Sequence, residues 1–482
     1  MYVQCKLVLL KKAVLIEGMQ NASERHSHER WAQEEFAGAS LPDKRLVRRL
    51  QRIVSNFAAT PSGSVPQASG SWKESKGAYR FFDNGGVSDR AILQPHQEQT
   101  ARRMAGHKRV LVVQDTTGLN FEDHPATEGL GLIGSGRKGA LGLWLHSSMA
   151  LTPEGAALGL VEVQWWKRDP KEFGKAARRH SRRIEEKESY RWLQSYEATV
   201  KRARENRSTE YVNVADREGD LYDLFALAQQ HPEVGVLVRA RHERKDESGA
   251  SIKELMARQE VAGTLEIQVP RRPGQAARKA RLAIKFGEMM MQAPRRQKGK
   301  KPLKIWIVEA EEIRTEGSGQ KPLFWRLMTN LEVKDFAGAV EKVGWYRQRW
   351  SIEEFHRILK SGCCVEDRQL ETVERLSKIM RVDIVVAWRV LELNRVARVE
   401  PEMKAEEYFG EDELGLLKQL QIKNGKTVNV PMSVREAVRL IAQLGGFLGR
   451  KRDGEPGAMT LWRGLERLSQ MMIGYQLAKL CG

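Results

Sequence analysis

The sequence is poor in cysteine and has no long apolar run. Only four of its 482 residues are cysteines, namely Cys5, Cys363, Cys364 and Cys481, and none forms a metal-ligand spacing. Two of the four are adjacent, so the cysteines indicate a reducing cytosol rather than a disulfide framework or a zinc site. No run of about 18 apolar residues is present, which argues against a membrane-spanning helix.

Acidic residues are in deficit. The chain has 62 Asp and Glu against 81 Lys and Arg, a formal net charge of +19. Such an excess favours a polyanionic partner, of which nucleic acid is the commonest, although a merely soluble basic protein is the alternative. With 41% hydrophobic and 30% charged residues the chain should be globular, and its length suggests about three domains. Residues 1–22 lack a signal-peptide pattern and are interpreted as an extension of uncertain role.

Residues 23–98 are predicted to form a helical DNA-binding domain. Asp43 is placed to cap a helix that runs through Phe57, with apolar residues at helical spacing and arginines on the remaining surface. A stretch rich in Pro, Gly and Ser follows, and a second helix then carries Trp72 and Tyr79. A small basic helical module fits DNA binding, but basic helices are often only solvated faces.

The pattern changes to α/β in residues 99–375. Three apolar strands, a helix, a strand and a helix follow one another, an order compatible with an RNase H-like core. The first strand is predicted to end in Asp115 and the fourth in Asp216. Residues from about 245 to 335 interrupt this core with two alternating runs and two further strand-like runs, and are predicted to form an inserted β-rich subdomain. Its basic loops either track phosphates or are solvated turns.

Residues 376–482 are predicted to form a helical C-terminal domain. Their apolar stretches fit a buried helix, a helix capped by Ser433 and ended by Gly445, and a final amphipathic helix. Such helices suggest packing or dimerisation. The fold class is therefore α/β, an RNase H-like catalytic core with an inserted β-rich subdomain, flanked by an N-terminal helical DNA-binding domain and a C-terminal helical domain.

The segment YRQRWSIEEFHRILK, which starts at residue 346, is amphipathic when placed on a helix. One face, within an arc of about 80°, carries Tyr346, Arg349, Glu353, Arg357 and Lys360. Apolar residues on the opposite face would anchor the helix. This face suits a phosphodiester near a metal ion, because the carboxylate can hold the metal while the cations neutralise phosphate oxygens. The alternative is a surface helix in which Arg349 and Glu353 form an i,i+4 ion pair.

Two aspartates strengthen the catalytic interpretation. Asp115 and Asp216 each follow an apolar strand, although an aspartate there is also a routine turn residue. Together with Glu353 they supply three hard oxygen ligands, enough to hold two Mg²⁺ ions around a phosphate. The neighbouring Glu354 lies off the cationic face, so Glu353 is the predicted ligand.

These motifs resemble the DDE transposases of bacterial insertion sequences, in the branch named for its Tyr-Arg-Glu-Lys signature. That branch expects Tyr, two residues, Arg, three residues, Glu, six residues and Lys, and this chain matches each interval. The blocks QDTTGL and ADREGDLYD resemble those that carry the family's aspartates, and GAYRFFDN and LGGFLGRKR are also similar. The resemblance spans most of the chain after about residue 30.

The resemblance implies a role for each position that matches. Asp115, Asp216 and Glu353 would be catalytic and would bind two Mg²⁺, for which Mn²⁺ can substitute. Contacts to DNA or its phosphates would come from Tyr346, Arg349, Lys360, Arg357, His356, Trp325 and Trp350. Trp325 lies where similar transposases stack a flipped-out base, and a core-strand tryptophan is the alternative.

The resemblance also implies the reaction and the partners. The element would be excised through a DNA hairpin and joined to target DNA by two-metal phosphoryl transfer. The partners would be double-stranded DNA, both the terminal inverted repeats and the target, and a second copy of the chain in the DNA complex, with no membrane. The location would be the bacterial cytoplasm, on the nucleoid when DNA is bound. Two alternatives stay open: an RNase H-like nuclease that cuts without joining, and a non-catalytic DNA-binding repressor or domesticated remnant.

Overall fold

The structure is a computed structural model of the chain. It describes residues 25–133, 140–168, 183–269, 277–297, 299–313, 322–423, 431–450 and 453–481. The predicted extension, residues 1–22, and the last two residues of the LGGFLGRKR block lie outside the described residues. Within the part of the chain that is described, no helix is long and apolar enough to cross a membrane.

Five helices form the N-terminal region, as predicted. They are α1 (Arg25–Glu35), α2 (Lys44–Ala59), α3 (Val65–Ser69), α4 (Trp72–Asp83) and α5 (Asp89–Ala105). The side chain of Asp43 caps α2 by accepting the N–H of Arg45 at 2.7 Å. Leu50, Ile53 and Phe57 are buried on one side of α2, as their helical spacing predicts.

A ten-stranded mixed sheet forms the centre of the molecule. Its strands are β1 (Arg109–Asn120), β2 (Gly131–Leu132), β3 (Leu141–Leu151), β4 (Ala157–Trp166), β5 (Glu210–Ala215), β6 (Val234–Arg239), β7 (Gly263–Val269), β8 (Arg278–Met291), β9 (Leu303–Glu312) and β10 (Phe324–Thr329). Strands β1, β3 and β4 are antiparallel, whereas β5 and β6 run parallel to β1. The order β4-β3-β1-β5-β6 is the predicted RNase H-like arrangement.

The helices of the core and its insert flank this sheet. They are α6 (Tyr190–Glu205), α7 (Tyr222–Gln230) and α8 (Ile252–Ala257). Both α6 and α7 follow the predicted order, since one precedes β5 and the other precedes β6. The apolar residues of these two helices pack with the strands in one buried cluster.

The strands of the insert extend the central sheet. The alternating runs of the insert are strands, as predicted, and β10 pairs antiparallel with β6, and β9, β8 and β7 continue outward from β10. The inserted β-rich segment is present as predicted, and the structure adds that its strands are continuous with the core sheet. The physical reason is that β6 would otherwise expose an unpaired edge, which β10 covers.

Helices make up most of the chain after β10. They are α9 (Phe336–Gln348), α10 (Trp350–Arg357), α11 (Val373–Val399), α12 (Glu411–Lys423), α13 (Val434–Leu444) and α14 (Ala458–Cys481). Ser433 caps α13, and Gly445 follows its last residue, as predicted. Helices α13 and α14 cross at Gly445 and Gly464: a Cβ on Gly445 would lie 1.9 Å from the carbonyl oxygen of Thr460.

Helix α11 holds the N-terminal region through a row of cations. This row, the α11 cation stripe, consists of Arg375, Lys378 and Arg381. Lys378 Nζ donates to the carbonyl oxygens of Phe82 at 2.9 Å and Asn84 at 2.8 Å, at the C-terminal end of α4. The other two cations pair with Asp83 and Asp89. The N-terminal helices and α11 therefore pack together. The ammonium group of Lys378 also stabilises the C-terminal end of α4, because a helix C-terminus carries a partial negative charge.

A buried charge cluster joins α1, α5 and β4. Glu35 accepts hydrogen bonds from His96 Nδ1 at 2.5 Å and from both terminal nitrogens of Arg103 at 2.8 and 2.9 Å. His96 Nε2 accepts the N–H of Leu160 at 3.0 Å, so the ring is neutral and its proton is on Nδ1. Burial raises the pKa of Glu35, but the hydrogen bonds from His96 and Arg103 and the charge of Arg103 outweigh it and lower the pKa to about 2.

Replacing Glu35 with Gln should destabilise the fold in a pH-dependent way. At neutral pH we expect a loss of about 2 kcal/mol, the range of hydrogen bonds to a charged group. Because the folded pKa is depressed, the stabilisation is complete above the unfolded pKa of about 4.3 and disappears as pH falls towards 2. Urea unfolding of both proteins over a pH series measures this. The exposed neighbour Glu34→Gln is the control, and a pH-independent difference for Glu35→Gln would contradict the assignment.

Candidate active site

The register of β1 on β5 brings the two predicted aspartates together. The parallel ladder ends at the pair Gln114 and Ala215, and Asp115 and Asp216 are the next residues of the two strands. The prediction that the first strand ends at Asp115 was wrong, because β1 continues to Asn120 along β3. Asp115 therefore lies where β1 separates from β5. It is still paired with Ser147 of β3, and this pairing holds its backbone in place.

Asp216 begins a tight turn. Its side chain accepts the N–H of Glu218 at 2.7 Å and caps the short 3₁₀ helix Arg217–Gly219. The glycine that ends this helix is packed so closely that a Cβ there would lie 2.5 Å from the Cβ of Ala215 and 3.3 Å from the ring of Trp192. The direction of the Asp216 side chain is therefore set by a turn that the core holds in place.

The signature segment is not one continuous α-helix. Helices α9 and α10 meet at Arg349, and α10 passes into a π-helical turn, Ile358–Gly362. The apolar face is buried as predicted, at Ile352, Phe355, Ile358 and Leu359. A π-helical turn holds more residues than an α-helical one, so Lys360 is rotated slightly from its position on an ideal helix. Its Nζ donates to the carbonyl oxygen of Gly118 and lies 3.8 Å from a carboxylate oxygen of Glu366.

Arg349 connects two of the predicted carboxylates. Its Nη2 forms an ion pair with Glu353, and its Nη1 lies 3.7 Å from Asp115 Oδ2. The i,i+4 ion pair of the plain alternative therefore exists, but its arginine also reaches the aspartate on β1. The Arg349 side chain is only 9% exposed, and its Nε has no hydrogen-bond partner among the described residues. Buried donors normally have a hydrogen-bond partner, so Arg349 Nε is an exception here.

The electrostatics place the three carboxylates in one environment. Burial, Asp216 and Glu353 raise the pKa of Asp115 to about 7, while Arg349 and the N–H of Thr116 act in the opposite direction. Within the described residues, however, no group of three or more His, Cys, Asp or Glu is arranged to hold a metal ion. The three carboxylates therefore interact electrostatically, but the side chains of the described residues are not arranged to hold a metal ion.

Glu354 faces away from these carboxylates. It pairs with Arg395 of α11 at 2.7 Å and lies 3.8 Å from Arg357. Glu353, in contrast, is 36% exposed and acts on the pKa of Asp115. Glu353 therefore lies on the side of Asp115, whereas Glu354 packs against α11.

Two of the predicted aromatic residues contact each other. Tyr346 is buried, and its ring meets that of Trp325 edge to face, with 5.8 Å between the centroids. Trp325 is half-buried on β10, so it packs as a strand tryptophan and also borders the signature helix. Trp350 is 47% exposed beside Arg349. Arg349 thus lies over the rings of Tyr346 and Trp350, and Trp325 contacts Tyr346, which has little free surface.

His356 does not have the position predicted for a DNA contact. It is buried, with Nε2 3.3 Å from Ser147 Oγ on β3. Burial and the charge of Lys360 lower the pKa of His356 to about 3, so the ring is neutral. His356 is buried because the helix packs on the sheet over a wider arc than its apolar residues suggest. Arg357, by contrast, keeps 56% of its side chain exposed.

A buried polar network beneath Asp115 was missed from the sequence. Gln114 donates to the side chain of Asn213, and His146 bridges Gln114 at 3.0 Å and Thr116 at 2.8 Å. Burial lowers the pKa of His146 to about 3. Two polar residues inside otherwise apolar strands, Gln114 and Asn213, were the available signal. The network joins β1, β3 and β5 next to the carboxylates.

A cleft of about 830 Å³ lies at the opposite end of the sheet, away from the candidate residues. It is lined by residues at the starts of β5 and β6 and on α9, and none of the ten predicted site residues contributes to it. The cations there are paired, for example Arg109 with Glu210 and Arg204 with Glu233.

Comparison with known protein families finds one match in the N-terminal region and another in the C-terminal region. Residues 28–87, from α1 to the end of α4 and beyond, match the family model described as transposase DNA-binding. Residues 385–481, from the middle of α11 through α14, match the model described as the transposase Tn5 dimerisation domain. The carboxylates lie between these segments. The chain is thus similar to transposase DNA-binding and Tn5 dimerisation domains over these two segments, one on each side of the carboxylates in the sequence.

Proposed function

We propose that the chain is a DDE transposase of the Tyr-Arg-Glu-Lys branch, which excises an insertion sequence and joins it to target DNA. The observation that carries the proposal is that Asp115 and Asp216 directly follow the last two residues that β1 and β5 pair with each other. Glu353 reaches the same place through Arg349. DNA-binding and dimerisation regions on either side of these carboxylates support it.

Asp115, Asp216 and Glu353 would hold two Mg²⁺ or Mn²⁺ ions. The donor set fits, because carboxylate oxygens are hard ligands and a buried carboxyl group surrounded by like charges is stabilised by a cation. When bound, the ions would activate water and stabilise the charge on the attacking and leaving oxygens. Arg349 would have to leave at least one carboxylate for this purpose, and its unpartnered Nε supports a phosphate as its new ligand.

The residues of the signature segment would position DNA for four successive displacements at phosphorus. Water first releases a 3′-hydroxyl at the element's end, and that hydroxyl attacks the opposite strand to close a hairpin. A second water reopens the hairpin, and the 3′-hydroxyl then attacks target DNA. Arg349 and Lys360 would neutralise phosphate oxygens, with Arg357 at the periphery, while Tyr346 would act by supporting Trp325. Trp325 and Trp350 would stack on bases displaced by the hairpin.

Strand transfer is the experiment that tests this proposal. A donor end with a free 3′-hydroxyl is incubated with plasmid target, Mg²⁺ and the full chain, and joined product is measured. Joined product supports the transposase, whereas cleavage without joining would identify a nuclease. Binding of the element's ends without cleavage or joining would identify a repressor. Because two ends must be handled together, the active species is expected to be a homodimer on DNA.

Helix α4 is the surface that we propose for recognition of the element's ends. Trp72 is 78% exposed and Tyr79 38% exposed, and Lys73, Lys76 and Arg80 are exposed on the same helix. The opposite side of α4 is buried in the N-terminal core. Exposed aromatic rings beside cations at helical spacing can contact bases and phosphates together. This α4 face lies in the segment that matches the transposase DNA-binding model.

Replacing Lys73 and Lys76 with Ala should weaken binding of the element's end and reduce its salt dependence. If each lysine contacts one phosphate, the slope of log K against log salt concentration falls by about 0.9 per lysine. Fluorescence anisotropy with a labelled end duplex over a salt series measures both quantities. Lys253→Ala, on α8, is the matched control because that lysine is also exposed on a helix. An unchanged slope in the double variant would exclude the α4 face from the interface.

A further inference from the structure

Asp220 has the most extensive set of hydrogen bonds near the candidate carboxylates. It ends the 3₁₀ helix that Asp216 begins, and its side chain is fully buried. Its Oδ2 accepts the N–H groups of Arg241 and His242, both at 2.8 Å. Its Oδ1 accepts Arg244 Nε at 3.0 Å and Nη2 at 2.5 Å, and that Nη2 also donates to the carbonyl oxygen of Asp220 at 2.8 Å.

These bonds tie together two segments that the sheet alone does not connect. One is the turn that contains Asp216, directly after β5. The other is the segment after β6, which carries the exposed side chains of Arg241 and His242 and leads into the insert. The charge of Arg241 also acts on Glu218, within the Asp216 turn. A carboxylate buried with this many donors is rigid, because every lone pair has a partner and any movement would break charge-assisted bonds.

We infer that Asp220 is a positioning residue for Asp216, and that it holds the segment after β6 in a fixed position relative to the catalytic turn. The inference rests on the proposed function, since it assigns to Asp220 the placement of one predicted metal ligand. Asp220 does not itself reach Asp115 or Glu353. Its effect is exerted through the 3₁₀ helix Arg217–Gly219, whose two ends are Asp216 and Asp220.

Two single variants and their combination separate placement from packing. Asp220→Asn keeps one oxygen for the two backbone N–H groups but turns an amide NH₂ towards Arg244, where donor meets donor. Arg244→Gln leaves the Asp220 carboxylate buried without its cation. The double variant restores an amide pair with one donor facing one acceptor, so the geometry is recovered without the charges. Asp246→Asn is the control, because Asp246 is a partly exposed aspartate that also accepts a backbone N–H, that of Ala250 at 2.9 Å.

The variants are compared by end-cleavage kinetics, by Mn²⁺ titration of the protein–DNA complex followed by electron paramagnetic resonance, and by thermal unfolding. Each single variant should lower kcat and weaken Mn²⁺ binding about 10- to 100-fold, with KM for DNA changed less than about threefold. The double variant should recover most of both losses. A lower Tm with unchanged kcat and unchanged Mn²⁺ affinity would overturn the inference and leave Asp220 with a structural role. If the unaltered protein cuts no DNA, the proposed function fails, and Mn²⁺ affinity alone then decides the role of Asp220.

Discussion

A Glu353→Gln variant is expected to bind the element's end normally and to cut it at least about a thousandfold more slowly. Loss of one carboxylate ligand removes several kcal/mol of charge stabilisation, and about 1.4 kcal/mol corresponds to each factor of ten in rate. The amide is similar in shape, and the Glu353 side chain is 36% exposed, so the fold should be unaffected. The measurement is Mg²⁺-dependent cleavage of a labelled end duplex, with binding determined separately by gel shift.

Glu354→Gln is the matched control for this prediction. Glu354 is the adjacent residue on the same helix, but it pairs with Arg395 of α11. Its variant should keep the cleavage rate within a few fold, with any loss confined to stability. Equal activity of Glu353→Gln and the unaltered protein would refute the catalytic assignment. Equal loss in both glutamate variants would show that the helix, rather than the Glu353 carboxylate, is what matters.

An Asp383→Ala variant is expected to lose more stability than the Glu35→Gln and Glu353→Gln variants. Asp383 and Arg368 form an ion pair with distances of 2.7 and 3.0 Å, and their side chains are 1% and 3% exposed. The same guanidinium donates to the carbonyl oxygens of Pro61, Gly63 and Cys363. Removal of Asp383 leaves a buried cation without its counter-ion, which costs about 3–5 kcal/mol.

Urea unfolding followed by circular dichroism measures this effect as a lower midpoint. Glu266→Ala removes one partner of an exposed pair, Glu266 and Lys279, and should leave the midpoint unchanged because exposed pairs contribute little. A similar small effect for Asp383→Ala would mean that water reaches Arg368. Because Arg368 links the turn at residues 61–63 to α11, the variant should also loosen the DNA-binding region.

The sequence predicted the helices and strands more accurately than it predicted which strands pair with each other. Period-two alternation identified the strands of the insert, because side-chain burial alternates along any strand with one buried face. It carried no information on which edge they join, and β10 pairs with β6 through contacts made far apart in the chain. Asp115 and Asp216 were found as polar residues after apolar runs. Their meeting depends on the register of β1 on β5, which no local pattern specifies.

The signature segment shows a second limit. An ideal helix predicted the buried apolar face and separated Glu353 from Glu354, because both depend on local spacing. It did not predict the π-helical turn after α10, which contains Lys360. It also gave no sign that His356 would be buried against β3. Asp220 was within a recognised block, yet its role depends on Arg244, a partner supplied by the next strand's loop.

The α11 cation stripe has a consequence for the order in which the protein is made. Its contacts with Asp83 and Asp89 join residues 292 positions apart, so the N-terminal helices leave the ribosome long before their partners exist. At about 5–20 residues per second, synthesis of that interval takes tens of seconds. Throughout that interval the end of α4 lacks the ammonium group of Lys378 that later closes it. The N-terminal helices of the nascent chain therefore emerge before their contacts with α11 can form. Their final packing is completed only after α11 has been synthesised.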